Sequence, residues 1–427
     1  MKIVIIGGGI SGCTALQHKH QHHAQGRDGE THSSTLVVGG GLGLFANGLN
    51  VLKRLDGEMF RGIVRGGYAI AHQNLRSKNG TLLIRMDPTA DPESDGKRVH
   101  LLGTSRHSLD ERVVRVVASE GGRNVVSFAD EGPTVEADLI FGADGIKRVT
   151  KQALFPGQEG ICKPVYQSLV GVGEFISTEE VRDLVEEGSM NLVFGGNGFF
   201  GYFFSNSAPS EPDRDSVYQV SKPGESLGWW STYAVDECPD PKTLDMEAVA
   251  KQVRERHGDW KDPAIRKILG SLHVKSMYPT WTSPQLPTWE RDGVVLVGDA
   301  AHALPSTSGQ GASQDLEDVE AFTLLLSHAL RGLYQGSSPN TMAYKGAITA
   351  AARQYMEIRR PRVQSILENA QRMQNSKRRM GIIAEYAMYC AMWIAGCFPR
   401  LMSRPLKGVT NYNISEEVKG FIDRQRG

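Results

Sequence analysis

Ile3-Val4-Ile5-Ile6-Gly7-Gly8-Gly9-Ile10-Ser11-Gly12 opens the chain and decides its fold. Four apolar residues in a row read as a buried strand, and the G-x-G-x-x-G that follows hands it to a helix. Gly7 permits the tight turn, a side chain at Gly9 would block a pyrophosphate, and Gly12 lets the helix pack closely on the strand; Ser11 lies in the same first turn. The N–H groups and positive dipole at the helix N-terminus would then face phosphate oxygens. A structural glycine-rich turn has the same pattern, so the rest of the chain must decide between the two.

The strand-and-turn texture returns twice. Asp138-Leu139-Ile140-Phe141-Gly142-Ala143-Asp144-Gly145 is a short buried strand and a turn. Asp144 there either holds a ribose or ligand edge or forms an ordinary Asp-Gly turn. Val294-Val295-Leu296-Val297 leads into Gly298-Asp299-Ala300-Ala301-His302, then Gly309-Gln310-Gly311-Ala312 and Glu317-Asp318. A carboxylate such as Asp299, just past a buried strand, can accept a hydrogen bond from a sugar hydroxyl. Gly309 and Gly311 free the backbone before the next helix, whose N-terminus favours negative charge.

Between these motifs the periodicity predicts a short helix over 47–55, paired strands over 63–86, an acidic loop over 87–97 and a hairpin over 113–128. Residues 160–280 carry strand-like aromatic runs, 192–204 and 229–235, and a helix over 246–256. Helices are expected over 311–330, 341–375 and 376–398. These readings combine into an α/β fold built from both ends of the chain, with a β-rich insertion and a helical tail.

Composition narrows the function. Lys plus Arg and Asp plus Glu are both 48 in 427 residues, which gives no electrostatic reason to expect nucleic acid or an anionic membrane as the main partner. Five cysteines without a C-x-x-C spacing suggest neither a disulfide framework nor a zinc site. With no signal peptide read at the opening strand, a reducing, cytoplasmic compartment is expected. The histidines at 18, 20, 22, 23 and 32 read as a solvated helix end and loop rather than a metal site, with no carboxylate or cysteine placed to complete one. The apolar run 386–398 falls short of a bilayer span. It reads as a docked core helix, with a membrane-surface helix or a dimer contact next in order, so peripheral membrane contact through 381–398 stays open.

The three motifs, in this order, resemble the group A flavoprotein monooxygenases, the FAD-dependent hydroxylases similar to p-hydroxybenzoate and salicylate hydroxylases. The GDAAH segment with the later GQG carries most of the resemblance, and Y-M-E-I-R-R-P-R-V from Tyr355 to Val363 resembles the family's helix after the flavin loop. The resemblance implies a Rossmann-like FAD-binding domain from 1–157 and 280–370, an inserted β-sheet substrate domain from 158–279 and a C-terminal helical region from 371–427. It implies FAD as cofactor and NAD(P)H as co-substrate. Gly7, Gly9 and Gly12 would match the ADP-binding glycines, and Asp299 the aspartate on the ribityl chain. Gly311 and Ala312 would lie beside the flavin ring, Gly40 and Gly41 in the glycine-rich segment close to it, and Arg106 at an FAD-contacting arginine. Hydroxylation or epoxidation of a small aromatic or apolar molecule through a flavin C4a-hydroperoxide is the activity so implied.

Two departures stand out. The family's second strand, ending in a ribose-binding Glu about 20 residues after the glycines, has no apolar counterpart here, although Glu30 is near that distance. After Leu109 only three residues precede the next hairpin strand, where the family has a helix and a strand. They motivate an alternative, a non-catalytic relic unable to hold FAD. A flavin halogenase would be expected to carry W-x-W-x-I-P, which Gly228-Trp229-Trp230-Ser231-Thr232 does not provide. In the insertion, Phe194, Phe199, Phe200, Tyr202, Phe203, Trp229 and Trp230 suit either an aromatic substrate pocket or an ordinary sheet core.

Overall fold

The computed structural model describes residues 1–7, 10–17, 41–87, 97–105, 113–128, 134–146, 149–240, 243–334, 339–374, 380–398 and 408–426. The first strands are β1 (Ile3–Ile6), β2 (Gly41–Leu44), β3 (Tyr68–Ile70), β4 (His72–Ser77), β5 (Leu82–Met86) and β6 (Leu101–Ser105). Then come β7 (Val113–Val117), β8 (Asn124–Phe128), β9 (Val135–Ala137) and β10 (Leu139–Gly142). The insertion supplies β11 (Val165–Ser177), β12 (Ser189–Gly195), β13 (Gly198–Phe204), β14 (Ser226–Ala234) and β15 (Met277–Thr282), followed by β16 (Glu290–Arg291) and β17 (Val294–Leu296). The helices are α1 (Ile10–Gln17), α2 (Ala46–Leu55), α3 (Gly57–Arg65), α4 (Thr150–Leu154), α5 (Met246–His257), α6 (Pro263–Gly270), α7 (Asp299–His302), α8 (Gly311–Tyr334), α9 (Thr341–Gln374), α10 (Ile382–Gly396) and α11 (Ile414–Arg426).

The three apolar runs singled out in the sequence pair side by side. β1, β10 and β17 are parallel, in register Ile5 to Phe141 to Val295, and β16 closes the far edge antiparallel. Parallel strands are covered on both faces, which is why β10 and β17 are wholly buried without alternation. β1 is different: among the described residues nothing pairs on its outer side, and Ile3, Val4 and Ile5 stay half-exposed. The principal core joins this sheet to α8 and α9 through residues such as Val319, Phe322, Ile348 and Tyr355. α9 continues through Pro361.

The large sheet runs β15-β11-β14-β13-β12-β4-β5. It recruits β4 and β5, so residues 72–86, assigned by the sequence to the first domain, belong structurally with the insertion. Residues 57–65 form α3, which takes in the first three residues of the expected strand region 63–86; it is capped by Asp56, whose carboxylate accepts from the Glu58 and Met59 N–H groups. The side chain of a strand residue alternates between faces, and the register separates the aromatics accordingly. Phe194, Phe199, Phe203 and Trp230 share one face, packed near β6 and α10. Phe200, Tyr202 and Trp229 share the other, covered by α5, α6 and the connection between them through Val253, Ile265 and Trp260 respectively. Tyr202 donates to Asp262 at 2.9 Å in that buried layer, so it is not placed to orient a substrate hydroxyl.

Candidate cofactor cleft

The carboxyl ends of β1, β10 and β17 point the same way, and their three turns gather there, the crevice position where open α/β sheets bind ligands. Gly7 has φ 111°, and a Cβ on it would collide with the Ala143 carbonyl oxygen of the second turn. A Cβ on Gly12 would collide with the Gly7 oxygen, so helix, first turn and second turn touch through backbone alone. Gly298, at φ 58°, brings in the third turn: a Cβ there would strike Ser11 Oγ and Asp315 Oδ1. The late aspartate-bearing loop therefore lies against the first turn of α1, although 287 positions separate residues 11 and 298.

Asp299, the first residue of α7, is half-buried, and its carboxylate makes no hydrogen bond to any described residue. Behind it Ser283 Oγ contacts the Asp299 carbonyl oxygen at 3.5 Å and accepts from Lys151 Nζ at 3.3 Å. Lys151 is buried; burial holds its ammonium below the usual lysine range, opposed by the charges of Cys162, Asp144 and Asp299. Asp144, in contrast, is engaged. Its carboxylate accepts from the Thr150 N–H at 3.0 Å and from Thr150 Oγ1, and so holds the first turn of α4. Desolvation raises its pKa despite those bonds. Of its two sequence readings, the turn-forming one has the geometry.

The GQG segment forms a second wall. Gly309 is left-handed at φ 61°, with the Phe45 ring 3.5 Å from where its Cβ would be. Gly311 and Ala312 begin α8, whose N-terminus carries the positive end of a 24-residue helix. A Cβ on Gly311 would meet only open space, whereas Ala312 is buried. Phe45 N donates to Ser313 Oγ at 3.4 Å, tying the β2–α2 junction to α8. Asn47 Nδ2 donates to Gln310 Oε1 at 3.1 Å and Glu317 Oε1 at 2.6 Å, while its Oδ1 is buried without a partner among the described residues.

Beneath this wall lies a fully buried ion cluster. Arg359 pairs with Glu317 and donates through Nε to Asp318 at 2.7 Å; Arg362 donates to both Glu317 oxygens at 2.7 Å. His302 Nε2 lies 2.5 Å from Asp318 Oδ2, which also accepts the Gly298 N–H at 2.8 Å. Desolvation acts to raise both carboxyl pKa values, but the charges of His302 and Arg359 on Asp318, and of Arg359 and Arg362 on Glu317, hold them below the ordinary range. With Asp318 shared this way and Trp289 packed 5.0 Å from its ring, His302 is a structural member of the loop.

Gly7, Ser11, Gly12, Asp144 and Asp299 are thus brought to one crevice, with Gly311 and Ala312 on its other wall. Gly41 pairs with Ser105 in the β2–β6 ladder, next in sequence to Arg106. Gly9, Gly40, Arg106, Glu30 and the histidine cluster lie outside the described residues. Sequence reasoning missed Phe45, whose only signal was an aromatic residue directly before a helix, and Ser283, which had none.

Comparison with known proteins agrees with this geometry. The sequence profile of the family described as "FAD binding domain" matches residues 110–358, more than half of the chain. Salicylate hydroxylase of Pseudomonas putida is 24% identical over 381 residues, covering 85% of this chain and 82% of that protein. The FAD-dependent monooxygenase janM of Penicillium janthinellum is 22% identical, covering 90% and 78%. Among solved structures, a salicylate hydroxylase substrate complex superposes with TM-score 0.67 at 18% identity over 98% of this chain and 97% of that one. Klebsiella pneumoniae HpxO complexed with FAD and uric acid gives TM-score 0.67 at 16% identity over 99% and 95%. The chain belongs to the FAD-binding-domain family, as a group A flavoprotein monooxygenase. It is an oxidoreductase whose cofactor is FAD.

Proposed function

We propose that the chain hydroxylates or epoxidises a small aromatic or apolar molecule, using dioxygen and NAD(P)H as co-substrate. The observation that carries this reading is the seating of the Gly298–Asp299 loop against the Ser11 turn. The residues present fit FAD: side-chain-free backbone lines the crossing of the turns, and a half-buried carboxylate there lacks a protein partner. In this reading Gly7, Ser11 and Gly12 take the diphosphate at the N-terminus of α1. Asp299 accepts from the ribityl chain, and Gly311 and Ala312, with Phe45 across from them, flank the ring. FAD, when bound, would carry two electrons from NAD(P)H to dioxygen, of which one atom enters the substrate and the other leaves as water.

The chain's own part is to position and to exclude water. Trp230, Leu192 and Leu75 are half-buried on the sheet face that also carries Phe203, beside Gly103 of β6. That face offers apolar contact with few polar groups, which suits an apolar or aromatic substrate. The names of relatives point the same way, since one acts on salicylate and another is complexed with uric acid.

The test is direct. Protein expressed with ample riboflavin should be yellow, release FAD on denaturation, and oxidise NADPH or NADH faster when an aromatic substrate is added. Colourless protein with no FAD-induced rise in melting temperature would overturn the reading. The relic alternative is favoured by one feature, the half-exposed outer side of β1 where a ribose-binding strand would pair; measured NADPH oxidation in the presence of flavin rules it out.

A further inference from the structure

α10 is built the wrong way round for a surface helix. Its one charged residue, Glu385, is buried, bonded to Lys78 at 2.9 Å and to the Tyr389 hydroxyl at 2.6 Å. The Tyr389 hydroxyl also lies 2.7 Å from the Phe194 carbonyl, so its one proton is shared between two acceptors, and Met380 N donates to the Gly196 carbonyl at 2.9 Å. Met388, Met392 and Ala395 complete the inward stripe against Leu83, Ile84, Phe194 and Phe199. These residues recur at three- and four-residue spacing, so one helical face is fixed to the sheet.

The opposite side is open and apolar. Ile383 is 84% exposed, Ile382 69%, Phe398 60%, Trp393 57% and Ile394 54%. No charged residue lies on it. By comparison the first and last turns of α11 carry Glu416, Glu417, Arg424 and Arg426. A contiguous exposed apolar strip on a well-fixed element marks an interaction surface.

Charge says what covers it. Between residues 369 and 415 the sequence holds seven cations, Arg372, Lys377, Arg378, Arg379, Arg400, Arg404 and Lys407, against one acid, the buried and neutralised Glu385. In sequence, three of these cations stand at 377–379 just before α10 and three at 400–407 after it, in a chain whose overall charge is zero. Basic residues flanking an apolar strip with Trp at its end fit an anionic lipid surface. A two-fold contact between copies would bring together two helices whose sequence flanks are both basic. The helix has 15 residues, about 22 Å at 1.5 Å per residue, and no helix among the described residues is long and apolar enough to cross a membrane.

We propose that α10 docks the protein flat on an anionic membrane, its Ile383–Trp393 side in the acyl boundary and its Glu385–Tyr389 side on the sheet. Because the inward stripe rests on the face that holds Trp230 and Leu192, docking turns the candidate substrate face toward the lipid. Given the proposed function, and resting on it in this clause alone, the substrate is a lipophilic molecule taken from the bilayer.

The full-length chain is sedimented with vesicles of phosphatidylcholine alone and with about one third phosphatidylserine. It should bind the anionic vesicles, less so as salt rises, and the double variant I383E/W393E should lower that partitioning at least about tenfold without changing melting temperature or flavin content. The triple variant K377E/R378E/R379E should weaken binding to anionic vesicles only. Absence of vesicle binding by the wild type overturns the proposal. So does a concentration-dependent dimer that I383E/W393E dissociates while neither form binds lipid, which assigns the strip to a second copy. Colourless protein that still binds vesicles would overturn the flavin reading and leave the docking intact.

Discussion

The two ends of the cofactor cleft are built to different standards. At the flavin end, β10 and β17 are buried on both faces, and the α7 loop is anchored to α8 and α9 by Arg359, Glu317, Asp318 and His302. At the adenosine end, β1 keeps three half-exposed residues, and the crossing of the turns depends on backbone contact at Gly7 and Gly12. Among the described residues, the contacts that close the cleft are concentrated where the late loop meets the first helix.

The largest test of that contrast is Arg359→Met. It takes the main cation from Glu317 and the second cation from Asp318, which keeps His302, and should cost about 3–5 kcal/mol, read as a fall in urea midpoint; a loss under 1 kcal/mol would remove the cluster as the anchor of this wall.

Acid tests whether the limit on stability lies in either end of the cleft or in the sheet layer. His257 is buried against Phe200 and Trp260, and burial, with Arg256 next, lowers its pKa from 6.5 to about 3. Between those values the unfolded chain binds the proton and the folded chain does not, so stability is full above pH 6.5 and falls as pH drops toward 3. The slope is about 1.4 kcal/mol per pH unit well inside that window. His257→Gln should flatten it in denaturant titrations; an unchanged slope would put the acid limit elsewhere.

Asp299→Ala should weaken FAD about tenfold, about 1.4 kcal/mol, with the apoprotein melting temperature unchanged, by flavin fluorescence titration. Unaltered affinity would deny the flavin end its role. The smallest effect compares one deletion at the two ends. Ile140→Val, fully buried in β10, should cost about 1 kcal/mol, whereas Ile5→Val in half-exposed β1 should cost clearly less. Equal losses would mean that β1 is covered as well as β10.

Much of this architecture was legible in the sequence. The runs at 3–6, 139–142 and 294–296 are continuous apolar strands ending in glycine, and such strands have few places to go except side by side in a covered parallel sheet. Helices α8 and α9 followed from long 3.6-residue periodicity. The helix over 57–65 was less legible, because it turns on a single Asp56 cap and its last three residues run into the stretch read as alternating, 63–86.

The sequence by itself determined which residues could form the cleft: small ones where backbones cross, and an aspartate after a buried strand. Only the tertiary structure decided how they are used. Asp144 and Asp299 sit in similar strand-turn settings, yet Thr150 occupies one carboxylate and no described residue occupies the other. Period-two alternation divides Trp229 from Trp230 but cannot say which is covered by α5 and α6, since that depends on where those helices pack. In α10 a composition that reads as a buried helix is half open, because the sheet offers it room for one face only. Local pattern fixes what a segment prefers; its surroundings, supplied by residues hundreds of positions away, fix what remains unsatisfied and therefore available for chemistry.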